Sequence, residues 1–369
     1  QERKKGLYWY TTFGRVWINE QIYWREGKEI RLFCLAAGVK CRGYSRRLQR
    51  AMTDFGSDES FAGSAKKVKE HYGIEVPVSA VRVMTLTHAK AMIEQEPESE
   101  LAKQGTRQVI AGMDGSMVPI VSIKTNEKGL EINGDKRKHR QLGWREARLC
   151  VARDPRSITG HYRATMGDVE QAGRQLVGCV AEAGGGKKTK VHCVADGAPW
   201  IAAQVEERFR DQAKFLVDFY HVSEYLAAAS ELLGDNKKTF WLKQQQRRLK
   251  ANRIDQVLNE LTKLESVEKG RAIGKRISTV TREEQPVAAC KRYLEHRLEY
   301  LDYKNALKAG LPISSGETES AHRWVIQARL KIAGAWWRIE NAERMLKLLT
   351  TRASGQWQTY WLRTSQAAA

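Results

Sequence analysis

Two aspartates hold the same kind of position in the chain. Asp114 follows the apolar run Val109 to Met113, in Met113-Asp114-Gly115, and Asp196 follows Lys190 to Ala195, in Ala195-Asp196-Gly197. An apolar strand that delivers an Asp to a Gly turn sets a carboxylate at the sheet edge. Two adjacent strands doing so bring two carboxylates within reach of one cation. Mg²⁺ takes oxygen ligands in near-octahedral geometry and keeps waters and phosphate oxygens. A third carboxylate, from a helix beside the sheet, completes a two-metal site that clamps the attacking and leaving oxygens of an in-line phosphoryl displacement. Asp-Gly is also a common turn dipeptide. One occurrence therefore means little; the pair, each after a strand, carries the reading.

The third acid is expected on the helix after Gly316. Glu317 and Glu319 both stand at its head, two apart, so they point in different directions. Arg323, Gln327 and Lys331 step by four, and Glu319 lies four before Arg323 on that stripe. Glu317 faces away, where a first-turn acid suits the helix dipole. Glu319 is the choice.

The elements that must position these acids follow from periodicity. Leu7 to Leu32 alternates aromatic and β-branched with polar residues, broken at Gly14 and Gly27, and reads as a small antiparallel sheet. From Tyr44 to about Gln95 the period is helical. One helix begins at Ser60-Phe61 and stops at Gly73, and the next opens at Pro77. Helix, short turn, helix is the pattern of a helix-turn-helix, and equally of an ordinary helical hairpin. Glu96 to Gln104 is an acidic linker. The next texture is α/β: strands to Ile123, over Glu146 to Arg153 and Thr159 to Met166, a helix over Val169 to Ala183, the strand Lys190 to Ala195, a helix over Trp200 to Phe209, and the strand Lys214 to Phe219. This order implies a mixed sheet of about five strands with helices, as in RNase-H-like domains. His221 to about Gly310 is all helical. Glu317 to Ile332 reads as one long amphipathic helix ended by Gly334, and Asn341 to Thr350 as another. The fold class is thus mixed α+β, with expected divisions at 1–43, 44–104, 105–225, 226–310 and 311–369.

Composition narrows the partners. The 369 residues carry 63 Lys and Arg against 43 Asp and Glu, a net charge of +20. Such an excess points to a polyanion, nucleic acid before a membrane surface. Hydrophobic residues make up 42%, enough for real cores and against wholesale disorder. No apolar run of eighteen residues suggests a transmembrane helix. The six cysteines lack C-x-x-C spacing: Cys150, Cys179, Cys193 and Cys290 read as small core residues, while Cys34 and Cys41 make at most half of a metal site. No signal peptide is visible, so a reducing, cytoplasmic setting is expected. The sequence starts at Gln1 without an initiator Met, which leaves the N-terminus open to truncation.

Several segments together carry a resemblance. Met113-Asp114-Gly115-Ser116, Val194-Ala195-Asp196-Gly197, Asp218-Phe219-Tyr220-His221, Ser315-Gly316-Glu317-Thr318-Glu319-Ser320 and Gln327 to Trp337 resemble the DDE transposases of bacterial insertion sequences, of the Kra and Lre types. The resemblance spans roughly Tyr44 to Leu349. It implies an RNase-H-like catalytic core with Asp114, Asp196 and Glu319 as the acidic triad. It implies two Mg²⁺ ions, replaceable by Mn²⁺, and cleavage of transposon ends with strand transfer into target DNA. The partners would be double-stranded DNA and a second copy of the chain, at least a homodimer in the synaptic complex, on the bacterial nucleoid. The Asp114–Asp196 interval is 82 residues and the Asp196–Glu319 interval 123. The second is long for a bare core, and the helical block after His221 accounts for it as an insertion.

Other residues have two readings each. His221, beside Asp218, either supports the site from behind or is a buried His bonded to backbone. Lys66, Lys67, Lys69, Ser79 and Arg82 belong to the helix pair expected to read DNA. Arg247 and Arg248 sit in the basic run Lys237 to Arg253, a solvated face or a phosphate track. Arg323, Arg329 and Lys331 bind phosphate or are solvated. Trp336 and Trp337 stack on a base or anchor a helix. Two alternatives to transposition stand: a structure-selective nuclease on the same fold without strand transfer, and a domesticated, non-catalytic DNA-binding protein.

Overall fold

The computed structural model describes residues 3–36, 43–96, 100–124, 139–271 and 285–366. The chain is mixed α+β, with two sheets. The first is the antiparallel meander β1 (Arg3–Thr11), β2 (Gly14–Arg25) and β3 (Lys28–Arg31). Gly14 and Gly27 take positive φ at its turns, as breakers should. A short helix α1 (Leu32–Ala36) follows and buries Cys34. Three helices come next: α2 (Arg46–Asp58), α3 (Phe61–Tyr72) and α4 (Val78–Glu94). Ser45 and Ser60 cap the first two, and Gly73 ends α3 in the left-handed conformation.

The second sheet has the order β6-β5-β4-β7-β8. Its strands are β4 (Gln108–Ile123), β5 (Arg140–Arg153), β6 (His161–Thr165), β7 (Lys190–Ala195) and β8 (Ala213–Val217). β4, β5 and β6 run antiparallel; β7 and β8 add parallel to β4. The parallel crossovers are α5 (Val169–Glu182) and α6 (Pro199–Phe209). Parallel strands need such crossovers, and the apolar runs of β7 and β8 fit strands covered on both faces.

One face of this sheet packs on α5, α6 and the helices that follow β8. These are α7 (Phe219–Ser230), α8 (Asp235–Lys250), α9 (Ile254–Arg271), α10 (Pro286–Glu295) and α11 (Tyr303–Lys308). The other face packs on α4, α12 (Gly316–Ala321), a π-helical segment (His322–Gln327), α13 (Ala328–Leu330), α14 (Ile339–Ala353) and α15 (Trp357–Gln366). Cys150, Cys179, Cys193 and Cys290 are buried in the first of these cores. Cys41 lies outside the described residues, as does part of the acidic segment between α4 and β4.

Three expectations need correction. Asp114-Gly115 is not a turn: β4 runs on to Ile123, with Asp114 paired to Leu149 and Gly115 to Arg148. The strand continues because its neighbour β5 is equally long; only the shorter β7 stops early. The last strand ends at Val217, and Phe219 begins α7 because Asp218 caps that helix with its side chain. The helix bearing Glu319 is not one regular α-helix: it widens into the π segment at His322. A wide turn breaks the step-of-four stripe that linked Glu319 to Arg323 and Lys331. α4 packs through Leu86, Ala89 and Met92 on the same core as α14.

Candidate functional site

The parallel strand pairing aligns the aspartates. Gln108 to Ala111 pair with Lys190 to Cys193, and Val191 to Ala195 pair with Ala213 to Val217. Continued past the paired residues, the same offsets set Asp114, Asp196 and Asp218 on one rung. Ligand sites of α/β sheets sit at such carboxyl ends of parallel strands.

Each aspartate is then differently employed. Asp114 is partly buried, and its Oδ1 accepts the Gly115 N–H at 2.7 Å. Asp196 turns the chain off β7: its Oδ1 accepts the Ala198 N–H at 2.9 Å, and Gly197 takes a φ of +83°. That conformation suits glycine alone, and a Cβ there would also press on Tyr293 and Arg297. Asp218 is fully buried. Its Oδ1 accepts from the Tyr220 and His221 N–H groups, at 2.6 and 3.1 Å. Its Oδ2 accepts the Ser315 N–H and Oγ–H, each at 2.5 Å. Asp218 is thus fully occupied in tying α7 to the lead-in of α12.

That lead-in is pinned to the sheet. His192 Nε2 donates to the Pro312 carbonyl at 2.8 Å, and the Phe219 N–H to the Ile313 carbonyl at 2.9 Å. α12 then crosses β4 closely enough that a Cβ on Gly112 would sit 2.3 Å from Thr318 Oγ1. Gly112 is two residues before Asp114, so both face the side that α12 covers. Glu319 lies one residue past this contact. Ser315 Oγ is 3.5 Å from Glu319 Oε1. Glu317 is engaged elsewhere, paired to Arg153 Nε at 2.7 Å.

The acids feel one another. Burial pushes the Asp114 carboxyl up to about 7; repulsion from Asp196, Glu319 and Glu146 adds to it, against the Gly115 hydrogen bond. All donors in the cluster are hard oxygens, the set that Mg²⁺ prefers, and a cation would relieve the repulsion. Among the described residues no three acid, His or Cys side chains already stand as a closed cation site. The donors fit the ion in chemistry, and their side chains would have to close around it.

Three contributing residues were not singled out in the sequence. His322 is buried with Nε2 3.2 Å from Asp114 Oδ2. Tyr293 and Arg297, from the helical block, hold the Asp196 turn: Tyr293 Oη donates to the Asp196 carbonyl at 2.5 Å, and Arg297 Nε to the Gly197 carbonyl at 2.8 Å. A lone His in a helical run and a Tyr about a hundred residues from its partner give no periodic signal.

The remaining expected residues are scattered. His221 is partly exposed, 3.9 Å from Glu224 and beside the Tyr225 and Tyr293 rings, so it is not a buried His bonded through its ring to backbone. Lys66, Ser79, Arg82, Arg247 and Arg323 are exposed. Lys67 pairs with Glu59 at 2.7 Å and Lys69 with Glu75 at 2.5 Å. Arg248 donates to Gln245 at 3.0 Å, and Lys331 is partly buried. Trp336 is 40% exposed and leans toward Trp144.

Arg329 and Trp337 are corrections. Arg329 is 3% exposed, donates to the Gly56 carbonyl at 2.9 Å, and lies over the Phe61 and Trp337 rings. Its guanidinium joins α13 to α2 and cannot reach a phosphate. Trp337 is buried, donates from Nε1 to the Leu330 carbonyl at 3.1 Å, and its backbone bonds to Pro119 and Val121 of β4. It anchors the chain rather than stacking on a base.

The fold and site define a mixed α+β protein with Asp114 inside β4 and Asp196 and Asp218 just past the ends of the adjacent parallel strands β7 and β8. The sequence pattern of the uncharacterised protein family UPF0236 matches residues 178–362, half of the chain, and the chain belongs to that family, which is associated with transposase-like proteins. No curated protein matches the chain. No helix among the described residues is long and apolar enough to cross a membrane.

Proposed function

We propose that this protein is a DDE-type DNA transposase that cleaves the ends of an insertion sequence and joins them to target DNA. The observation that carries the reading is the placement of Asp114 and Asp196 on neighbouring parallel strands, beneath the helix that carries Glu319 and crosses β4 at Gly112. The antiparallel-then-parallel sheet order supports an RNase-H-like core, and the family's association with transposase-like proteins points the same way.

In this reading Asp114, Asp196 and Glu319 hold Mg²⁺, two ions, with Mn²⁺ as a substitute. Bound there, Mg²⁺ supplies Lewis-acid activation of the attacking oxygen and charge neutralisation at the scissile phosphate. The chain's own part is positioning: Gly115 and Ala198 N–H groups orient two of the carboxylates, and Asp218 with Ser315 holds the third on its helix. His221, packed beside Tyr225 and Tyr293, would support the site from behind.

The exposed cations of α3 and α4, with Arg247 and Arg323, form the phosphate-contacting surface for double-stranded DNA. The helical block 226–310 is an insertion into the core formed by 105–225 and 311–369, preceded by the β region 1–43 and the helices of 44–104. A homodimer or larger assembly would pair two ends, at the bacterial nucleoid.

The test is strand transfer. Element-end DNA from the flanks of the encoding locus is incubated with protein and Mg²⁺, comparing wild type with Asp114→Asn, Asp196→Asn and Glu319→Gln. Joined products, lost in all three variants, are expected. Nicking without joining would replace transposition by a nuclease activity, and binding without chemistry would make the protein non-catalytic.

A further inference from the structure

His322 is buried at the first residue of the π-helical segment, directly after α12. Neither of its ring nitrogens has a completed hydrogen bond. Such orphaned polar atoms are costly and rare in a packed interior. Nε2 nonetheless lies 3.2 Å from Asp114 Oδ2, close enough that a small rotation of either side chain would complete a hydrogen bond. The other oxygen, Oδ1, is already held by the Gly115 N–H. Glu319 and His322 are three apart, neighbours on a regular helix face, and the widened turn begins at His322 itself. π segments inside helices recur at functional sites because they re-aim one side chain.

We propose that His322 is a positioning residue which fixes the Asp114 carboxylate, so that one carboxylate is preset for the cation before the others close. This rests on the carboxylate-site reading above. His322 acts through Asp114 and touches neither DNA nor the reacting phosphate. The π segment thereby couples the helix that carries Glu319 to the strand that carries Asp114. A shift of α12 along β4 would move both acids together.

The experiment reads cation binding by the full chain without DNA, as the Mn²⁺-dependent rise in melting temperature over a concentration series. Four variants are compared with wild type: His322→Leu, His322→Gln, His322→Asn and Asp114→Asn. Gln can present an amide donor near the Nε2 position, whereas Asn reaches only the Nδ1 position and Leu fills the space without a donor. Loss of a group that orients a metal ligand costs about 10–100-fold in affinity. His322→Leu and His322→Asn should weaken the apparent Mn²⁺ affinity by about that factor, while His322→Gln restores most of it. Mn²⁺ affinity at the wild-type level in both Leu and Asn variants, with Asp114→Asn defective, overturns the role of His322 and leaves the carboxylate site standing. Equal losses in all three His322 variants assign the residue to packing alone and also overturn it. A wild type whose melting temperature ignores Mn²⁺ removes the carboxylate site, and the positioning role with it.

Discussion

Carried three residues past its last pair, Ala111–Cys193, the parallel register of β4 and β7 sets Asp114 and Asp196 on one rung. They are 82 residues apart, which is also the offset between Gln108 and its partner Lys190. On that register their carboxylates leave neighbouring strands at one height, so a cation bound between them would be shared. Sharing makes the two losses redundant. Asp114→Asn, Asp196→Asn and the double variant should each abolish the Mn²⁺-induced rise in melting temperature to the same extent. A double variant clearly worse than either single would mean two independent sites.

The second prediction concerns pH. Asp114 is raised by burial to about 7, above the usual carboxylate value, so the folded state holds a proton that the unfolded state has released. Stability from this group is complete below about pH 4 and is lost as pH rises toward 7. Asp114→Asn removes the penalty. It should raise the melting temperature by about 2 °C or more at pH 8 without divalent cation, and by less at pH 5. A variant equally stabilised at both pH values would sink the argument.

The third separates two arginines. Arg329 bridges Gly56, Phe61 and Trp337 in the interior, so Arg329→Ala leaves a carbonyl unsatisfied and a cavity between rings. A loss of about 2–4 kcal/mol is expected in urea unfolding. Arg82 is exposed beside the groove between α4 and α14. Arg82→Ala should leave stability within about 0.5 kcal/mol and lower the salt slope of DNA binding by about 1. Equal stability effects would contradict the placement of Arg329.

Much of this was legible in the sequence, for reasons that also mark its limits. β7 and β8 announce themselves because they are mostly apolar, and β4 because it is rich in Val and Ile; β5, with Val151 as its one β-branched residue, was legible only over its apolar end from Glu146 to Arg153. The two aspartates were visible because each ends such a run. The true state of Asp114-Gly115 was not, since a strand that continues and one that turns share the same dipeptide. The burial of Arg329 was hidden because its partners, Gly56 and Phe61, lie more than 260 residues away. Helical periodicity assumed a constant 3.6 residues per turn, and the π segment at His322 breaks that assumption where the site is built.

On the proposed reading, the helical block would take part in cleavage through its hold on the turn that presents Asp196. Tyr293 and Arg297 flank the end of α10 and grip the carbonyls of Asp196 and Gly197 from outside the sheet. The Tyr293 ring also stacks on Tyr225 of α7, with centroids 4.2 Å apart, and Arg297 lies over that same ring at 4.0 Å. The grip therefore runs from α7 through α10 to the turn that presents Asp196. Tyr293→Phe keeps the ring stack and removes only the hydroxyl, so it should cost about 0.5–1.5 kcal/mol of stability. Its effect on DNA cleavage should be larger than that figure suggests, about 10-fold or more, because a displaced ligand spoils geometry as well as stability. Raising Mn²⁺ should recover part of the loss if the turn has merely loosened. Cleavage by Tyr293→Phe equal to wild type at every cation concentration would show the block to be a passenger on the catalytic core.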